Sequence, residues 1–213
     1  DGLAQLRDTF RRIRSLRTIF LFLAAYWLYI DGVDTIIVMA LDYGLSIGFK
    51  ADDLIVALLI TQFIGFPSAL VFGRLGERIG ARQAILIGIA VYLLITVYGA
   101  FIDETREFFV LACMIGLVQG GVQALSRSLM SRLMPKSKSA EFFSFFSVFE
   151  KFANIAGPFL FGVVSTLMGE SRLSIASLVV FFAVGIFLLS RVNIERGIRV
   201  AEEDEQRMIA EAA

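Results

Sequence analysis

Long apolar runs recur six times along this chain, at 18–41, 54–73, 83–102, 107–130, 142–168 and 173–192. A helix of roughly 20 apolar residues is what it takes to cross about 30 Å of hydrocarbon. The runs therefore predict an all-α integral membrane protein with six transmembrane helices. The connections between them are short, which makes neighbouring helices antiparallel. The first run is too long for a signal peptide, and no small-residue cleavage site follows it. Of the 213 residues 57% are hydrophobic, with Phe at 21 copies. A soluble domain of that length needs more polar surface to cover its core.

Lys and Arg placement sets the expected orientation. One set of span ends carries Arg7, Arg11, Arg12, Arg14 and Arg17, then Arg74, Arg78 and Arg82. It continues with Arg132, Lys136 and Lys138, then Arg191, Arg196 and Arg199. The opposite ends carry only Lys50, Arg106 and Arg172. The bias has one sign throughout, so both termini are expected on the cytoplasmic side. Topology also accounts for the basic residues without any nucleic-acid partner. Three regions follow: residues 1–17, a bundle over 18–192, and a charged cytoplasmic tail over 193–213. In the first, Leu3, Leu6, Phe10 and Ile13 follow helical spacing and Arg7, Arg11 and Arg14 lie on another face. That pattern suits a basic amphipathic helix at the membrane surface or a solvated linker helix. The tail, containing EEDEQR, reads as a solvated or frayed end.

Several chemistries are disfavoured by what the chain lacks. Its single cysteine, Cys113, supports neither an intrachain disulfide nor a zinc site built on several thiolates. It has no histidine, the usual metal ligand and neutral-pH proton carrier. Neither metal nor cofactor is expected. With no nucleophile–base constellation and no nucleotide loop, the chain does not read as an enzyme.

The polar residues inside the apolar runs are the candidates for function. Asp31 and Asp34 sit mid-span, three residues apart and so on one helix face. Thr35 adds a hydroxyl beside them, and Gly32 permits close approach of a backbone or a ligand. A charge at the bilayer centre costs about 2.5–3.5 kcal/mol on insertion scales, so such carboxylates face a bundle interior or a wet cavity and mark an ion, proton or substrate path. The competing explanation is a hydrogen bond to a neighbouring helix. In the fourth run, Gln119, Gln123 and Arg127 share a face by fourfold spacing, as Gly116 and Gly120 do. The glycines fit helix packing, and the two amides fit either packing or cavity lining. Arg127 fits an anchor nearer the cytoplasmic end. Glu150 and Lys151 in the fifth run point about 100° apart, so each needs a partner elsewhere. Lys151 shares a face with Asn154 and, placed opposite Asp31, would neutralise it. Phe142, Phe143, Phe145, Phe146, Phe149 and Phe152 read as packing or lipid-facing residues, and Gln62 as a packing amide. Gly157 and Pro158 are expected to bend the fifth helix.

The stretch GRLGERIGARQA, residues 73–84, is expected as the loop between spans two and three. Glycines allow a tight backbone turn there, Glu77 can cap or pair at the next helix start, and Arg78 and Arg82 hold the loop on the cytoplasmic side. Gly73, Leu75, Gly76, Glu77, Arg78, Gly80 and Arg82 fall in the register of the signature loop of the major facilitator superfamily, which the sequence resembles. In that superfamily the loop is a conformational latch between helix bundles, and the resemblance carries that expectation to Gly73, Glu77, Arg78, Gly80 and Arg82. The phrases LYIDGVDTII (28–37), QGGVQALSRSLMSRLMP (119–135) and EKFANIAGPFLFG (150–162) look like the C-terminal half of its vacuole-effluxer-like branch, related to the autophagy-linked vacuolar amino-acid exporter. The likeness runs from about residue 18 to about residue 200.

YIDGVDT (29–35) can also be laid against VQGGVQA (118–124), and Pro67 and Pro158 mark the second and fifth runs. Two repeated blocks of three helices are a common transporter build, so a 3+3 inverted repeat is expected. The resemblance implies half of a secondary transporter, working by alternating access on a small solute such as an amino acid, with proton coupling. Asp31, Asp34, Gln119, Gln123, Glu150, Lys151 and Asn154 are the expected substrate or proton residues. The partners are the bilayer, the solute and a second six-helix bundle, either an N-terminal half lying before Asp1 or another copy in a homodimer. A bacterial cytoplasmic membrane is the expected location, a vacuolar one the alternative. The competing function is a non-transporting receptor, sensor or assembly subunit on the same scaffold.

Overall fold

The computed structural model describes residues 17–134, 139–153, 155–169 and 171–212, and it is helical throughout, without strands among those residues. The expected 1–17 helix lies outside them, apart from Arg17. The helices are α1 (Arg17–Ser46), α2 (Ala51–Ile79), α3 (Ala81–Gly99), α4 (Thr105–Leu133) and α5 (Ser139–Ala153). They continue as α6 (Ala156–Met168), α7 (Ser171–Ser177), α8 (Val179–Arg191) and α9 (Ile194–Ala212). Five segments among the described residues are long and apolar enough to cross a membrane: α1 to α4, and α7 with α8 end to end over Ser171–Arg191.

The run expected as a fifth span, 142–168, is instead two helices of 15 and 13 residues, each too short alone. Pro158 explains the interruption. It has no N–H for the carbonyl four residues earlier, and its ring crowds that carbonyl. The expected bend at Gly157 and Pro158 is thus a break just before them. Pro67, by contrast, lies inside a continuous α2. Beside it, the Ser68 hydroxyl donates to the Leu117 carbonyl of α4.

Two close crossings organise the bundle. At Gly116 and Gly120 of α4, an added Cβ would stand 2.7 Å from the Thr61 carbonyl oxygen and 2.9 Å from that of Gly65 on α2. Bare backbone at both positions is what lets α2 and α4 touch, as their small-residue spacing anticipates. Thr61 reinforces the crossing by donating to the Ala112 carbonyl at 3.1 Å. The second crossing joins α1 to α8, where Gly32 faces the Phe182 ring and Gly185 faces Tyr29. Gly32 therefore admits an aromatic ring, not a ligand. Phe22, Tyr26, Tyr29, Ile30 and Val33 of α1 are all buried, which puts this helix at the centre of the packing. Phe142 and Phe146 of α5 are buried as well, Phe146 with its ring centroid 4.5 Å from that of Tyr26.

Residues 73–79, expected as loop, form the last turns of α2. The chain reverses at Gly80 alone, whose φ of 91° is open to glycine and strained for other residues. At the other end, α4 opens with a capping box in which Glu104 and Glu107 exchange side-chain and backbone bonds. Arg172 there pairs with Asp103 at 2.5 Å and donates to the Ile102 carbonyl at 3.0 Å. After Asn193 the chain is helical, not frayed. Ile194, Gly197, Ile198 and Ala201 recur at i, i+3, i+4 and i+7. Gly197 meets Leu133 and Thr18, and Ala201 is buried, so α9 packs across the ends of α1 and α4.

Candidate polar site at the centre of the bundle

Asp31 lies midway along α1 with 1% of its surface exposed; the Gly157 backbone N–H approaches its carboxylate, and no side chain among the described residues bonds either oxygen. The backbone of Gly157, in the first turn of α6, lies against it. A Cβ on Gly157 would stand 2.9 Å from Asp31 Oδ1 and would overlap Thr35 Oγ1. The Thr35 hydroxyl donates to the Asp31 main-chain carbonyl at 2.6 Å, so its proton is not directed at the carboxylate. The break before Pro158 thus brings the buried backbone at the start of α6 to the one deeply buried acid of α1.

Asp34, one turn further on, is half-buried and lies within electrostatic reach of both Asp31 and the Tyr92 hydroxyl. Tyr92 of α3 is fully buried, stacks on Phe182 with centroids 5.6 Å apart, and has no hydrogen-bond partner on its hydroxyl. Sequence reasoning missed Tyr92. Its signal was position, since membrane tyrosines favour the interfacial ends of spans and Tyr92 sits mid-helix. Tyr29 carries the same signal but is satisfied. Ser126 Oγ donates to the Val122 carbonyl at 2.6 Å, which leaves it to accept from the Tyr29 hydroxyl at 2.7 Å, tying α1 to α4.

Among the described residues, the other candidates do not meet Asp31. Lys151 is exposed and makes no ion pair with it. A lysine stem at a solvent- or lipid-facing position has no reason to cross α6. Gln119 and Gln123 are half-buried on α4, and Gln62 is exposed. Arg127 is exposed toward the basic end of α4. The Glu150 side chain and Asn154 lie outside the described residues.

Of the expected latch residues, Arg82 is the one anchored. Its guanidinium donates to the Leu189 carbonyl at 3.1 Å, which also accepts from the Val192 N–H, and to the Ser190 carbonyl at the end of α8. Glu77 and Arg78 are exposed, and no side chain caps α3 at Gly80, so the expected Glu77 cap is not made. Gly73 has open space around it, whereas Gly76 accommodates Leu125.

Comparison with known proteins places the chain in a family. Residues 1–202 match the family described as vacuole effluxer Atg22 like. The chain is 40% identical over 203 residues to a Bacillus subtilis (strain 168) protein named "Uncharacterized MFS-type transporter YxiO", covering 95% of this chain and 47% of that protein. It is 29% identical over 215 residues to autophagy-related protein 22 of Cryptococcus neoformans, covering 92% of this chain and 38% of that protein. For autophagy-related protein 22 of Candida glabrata the values are 28% over 214 residues, 95% and 40%. The chain therefore spans about half, or less, of the length of these relatives. It is an integral membrane protein and belongs to the vacuole effluxer Atg22-like family of membrane transporters.

Proposed function

We propose that this chain is a six-helix half of a secondary transporter that moves a small solute by alternating access, with Asp31 as its proton- or substrate-binding group. The observation that carries this reading is the Asp31 carboxyl, buried mid-helix with no side-chain partner on either oxygen. Leaving a charge so placed without a cationic partner costs several kcal/mol, so the group takes a proton or meets a cation in the working cycle. Asp34 modulates it through its charge, and Tyr92 supplies a further polar group, one without an internal partner. Gln119, Gln123, Glu150, Lys151 and Asn154 line the solute path once the bundle opens. Gly73, Glu77, Arg78, Gly80 and Arg82 form the latch that couples bundle movement, with Arg82 on α8 as its fixed end.

The sixth span in this reading is α5 and α6 together, and the bundle is a 3+3 inverted repeat. In support, the 89-residue offset that lays YIDGVDT on VQGGVQA puts Asp31 on Gly120. Asp31 meets Gly157 beside Pro158, and Gly120 meets Gly65 near Pro67. Equivalent positions thus face the two proline-bearing spans, one with a carboxylate and the other with bare backbone. Both termini are cytoplasmic, and a second bundle, from a preceding half or a second copy, completes the path. The family's description as vacuole effluxers and the bacterial relative support export, across a bacterial cytoplasmic membrane or, alternatively, a vacuolar one. Amino acids are the proposed solutes.

Uptake of a labelled amino-acid mixture into proteoliposomes, under an imposed pH gradient, tests this. Asp31→Asn is expected to abolish gradient-driven flux while leaving the purified protein folded. Undiminished flux in that variant would remove Asp31 from the transport path, and absence of flux in the wild type would assign the chain to the non-transporting class.

A further inference from the structure

Three arginines from three helices converge on one cleft at the basic end of the bundle. The cleft has a volume of about 770 Å³ and is bounded by the α2–α3 junction, the end of α4, the end of α8 and the first turns of α9. Arg82, Arg132 and Arg191 all line it, with Glu195 as its one acid. Arg82 is held by the α8 carbonyls. Arg191 lies 4.8 Å over the Phe187 ring, a contact that leaves its N–H donors open. Arg132 is exposed, and neither it nor Arg191 has an ion-pair partner among the described residues. Two unneutralised guanidiniums therefore face one space.

Two further features specify what fits there. The first turn of α3 starts at Gly80 with no side-chain cap, and Gly80, Ala81, Arg82 and Gln83 all line the cleft. Backbone N–H groups at a helix start add donors for an anion to those of the arginines. Ile79, Leu129, Val192, Ile194 and Ile198 add apolar lining at the level where the spans end. A planar guanidinium matches phosphate oxygens bidentately. We propose that this cleft binds a phosphate-bearing anion, held by Arg132 and Arg191 with the start of α3 behind them. An anionic phospholipid headgroup, its chains along the apolar lining, and a soluble phosphate present the same chemistry.

Native mass spectrometry of the full chain, released from nanodiscs of mixed phosphatidylcholine and phosphatidylglycerol, tests the proposal. Wild-type protein is expected to retain phosphatidylglycerol preferentially. The double variant Arg132→Gln, Arg191→Gln is expected to lose that preference by about fivefold per guanidinium, or about twenty-five-fold together. A control, Arg74→Gln with Arg199→Gln, removes equal charge from exposed positions outside the cleft and is expected to keep it. A parallel arm follows the thermal unfolding midpoint in phosphatidylcholine nanodiscs as inorganic phosphate is added. A shift there that depends on Arg132 and Arg191, without lipid selectivity, assigns the site to soluble phosphate. Equal losses in the two double variants, or no loss and no shift in either arm, would overturn the site.

Discussion

At Gly157 the absence of one carbon sets the geometry around Asp31. A methyl there would overlap Thr35 Oγ1 and press on the carboxylate, so Gly157→Ala is expected to destabilise the protein by about 1–3 kcal/mol. Thr35→Ala removes the obstructing oxygen, and the double variant is expected to recover part of that loss. Thermal unfolding of the four proteins in one detergent checks it, and strictly additive losses would refute the contact. Asp31→Asn carries the opposite expectation, because it removes a buried charge that has no cationic partner while keeping the shape and an acceptor for the Gly157 N–H. Its unfolding midpoint is expected to equal or exceed wild type. Read beside lost flux, that separates a functional carboxylate from a structural one.

Among the elements, the α2–α4 crossing depends most on what is missing from its surface. Gly116→Ala and Gly120→Ala would each force a methyl to within 3 Å of a carbonyl oxygen on α2. Each is expected to cost about 1–3 kcal/mol, read from denaturant unfolding in mixed micelles. Arg82 makes a different kind of link, closing the end of α8 with two donors. Arg82→Lys keeps the charge but loses the fork. It is expected to be less stable than wild type by about 1 kcal/mol, the scale of one lost hydrogen bond. A midpoint equal to wild type would show that charge alone holds this junction.

For the whole molecule, the notable feature is how much apolar surface stays uncovered. Phe63 and Phe66 of α2 are 79% and 77% exposed, and Phe159 and Leu167 of α6 are 71% and 76% exposed. Lipid covers such surface, and so does a second bundle. The proposed transporter needs the second bundle to form the other wall of its path. In nanodiscs the chain is expected to run as a dimer by native mass spectrometry. A stable monomer would place the second wall in a separate polypeptide segment and make flux measurements on this chain alone uninformative.

Hydropathy in the sequence was sufficient for the helical membrane class and for where most spans lie, because desolvating roughly 20 apolar residues dominates every local preference. Charge placement marked the basic end, and the glycine spacing of α4 anticipated its crossing with α2. Asp31 stood out because a carboxylate in hydrocarbon is costly wherever the chain goes. What surrounds it was decided by tertiary contacts. Pro67 lies within a continuous α2, whereas the chain is interrupted just before Pro158, a difference that proline content alone does not decide. Lys151 had the right charge to pair with Asp31, yet α6 stands against that carboxylate through Gly157. Tyr92 came to lie stacked on Phe182 with its hydroxyl unpartnered and the Asp34 charge within electrostatic reach. Whether a polar atom finds a partner depends on which helix packs against it, and that is fixed by the whole bundle, not by any span alone.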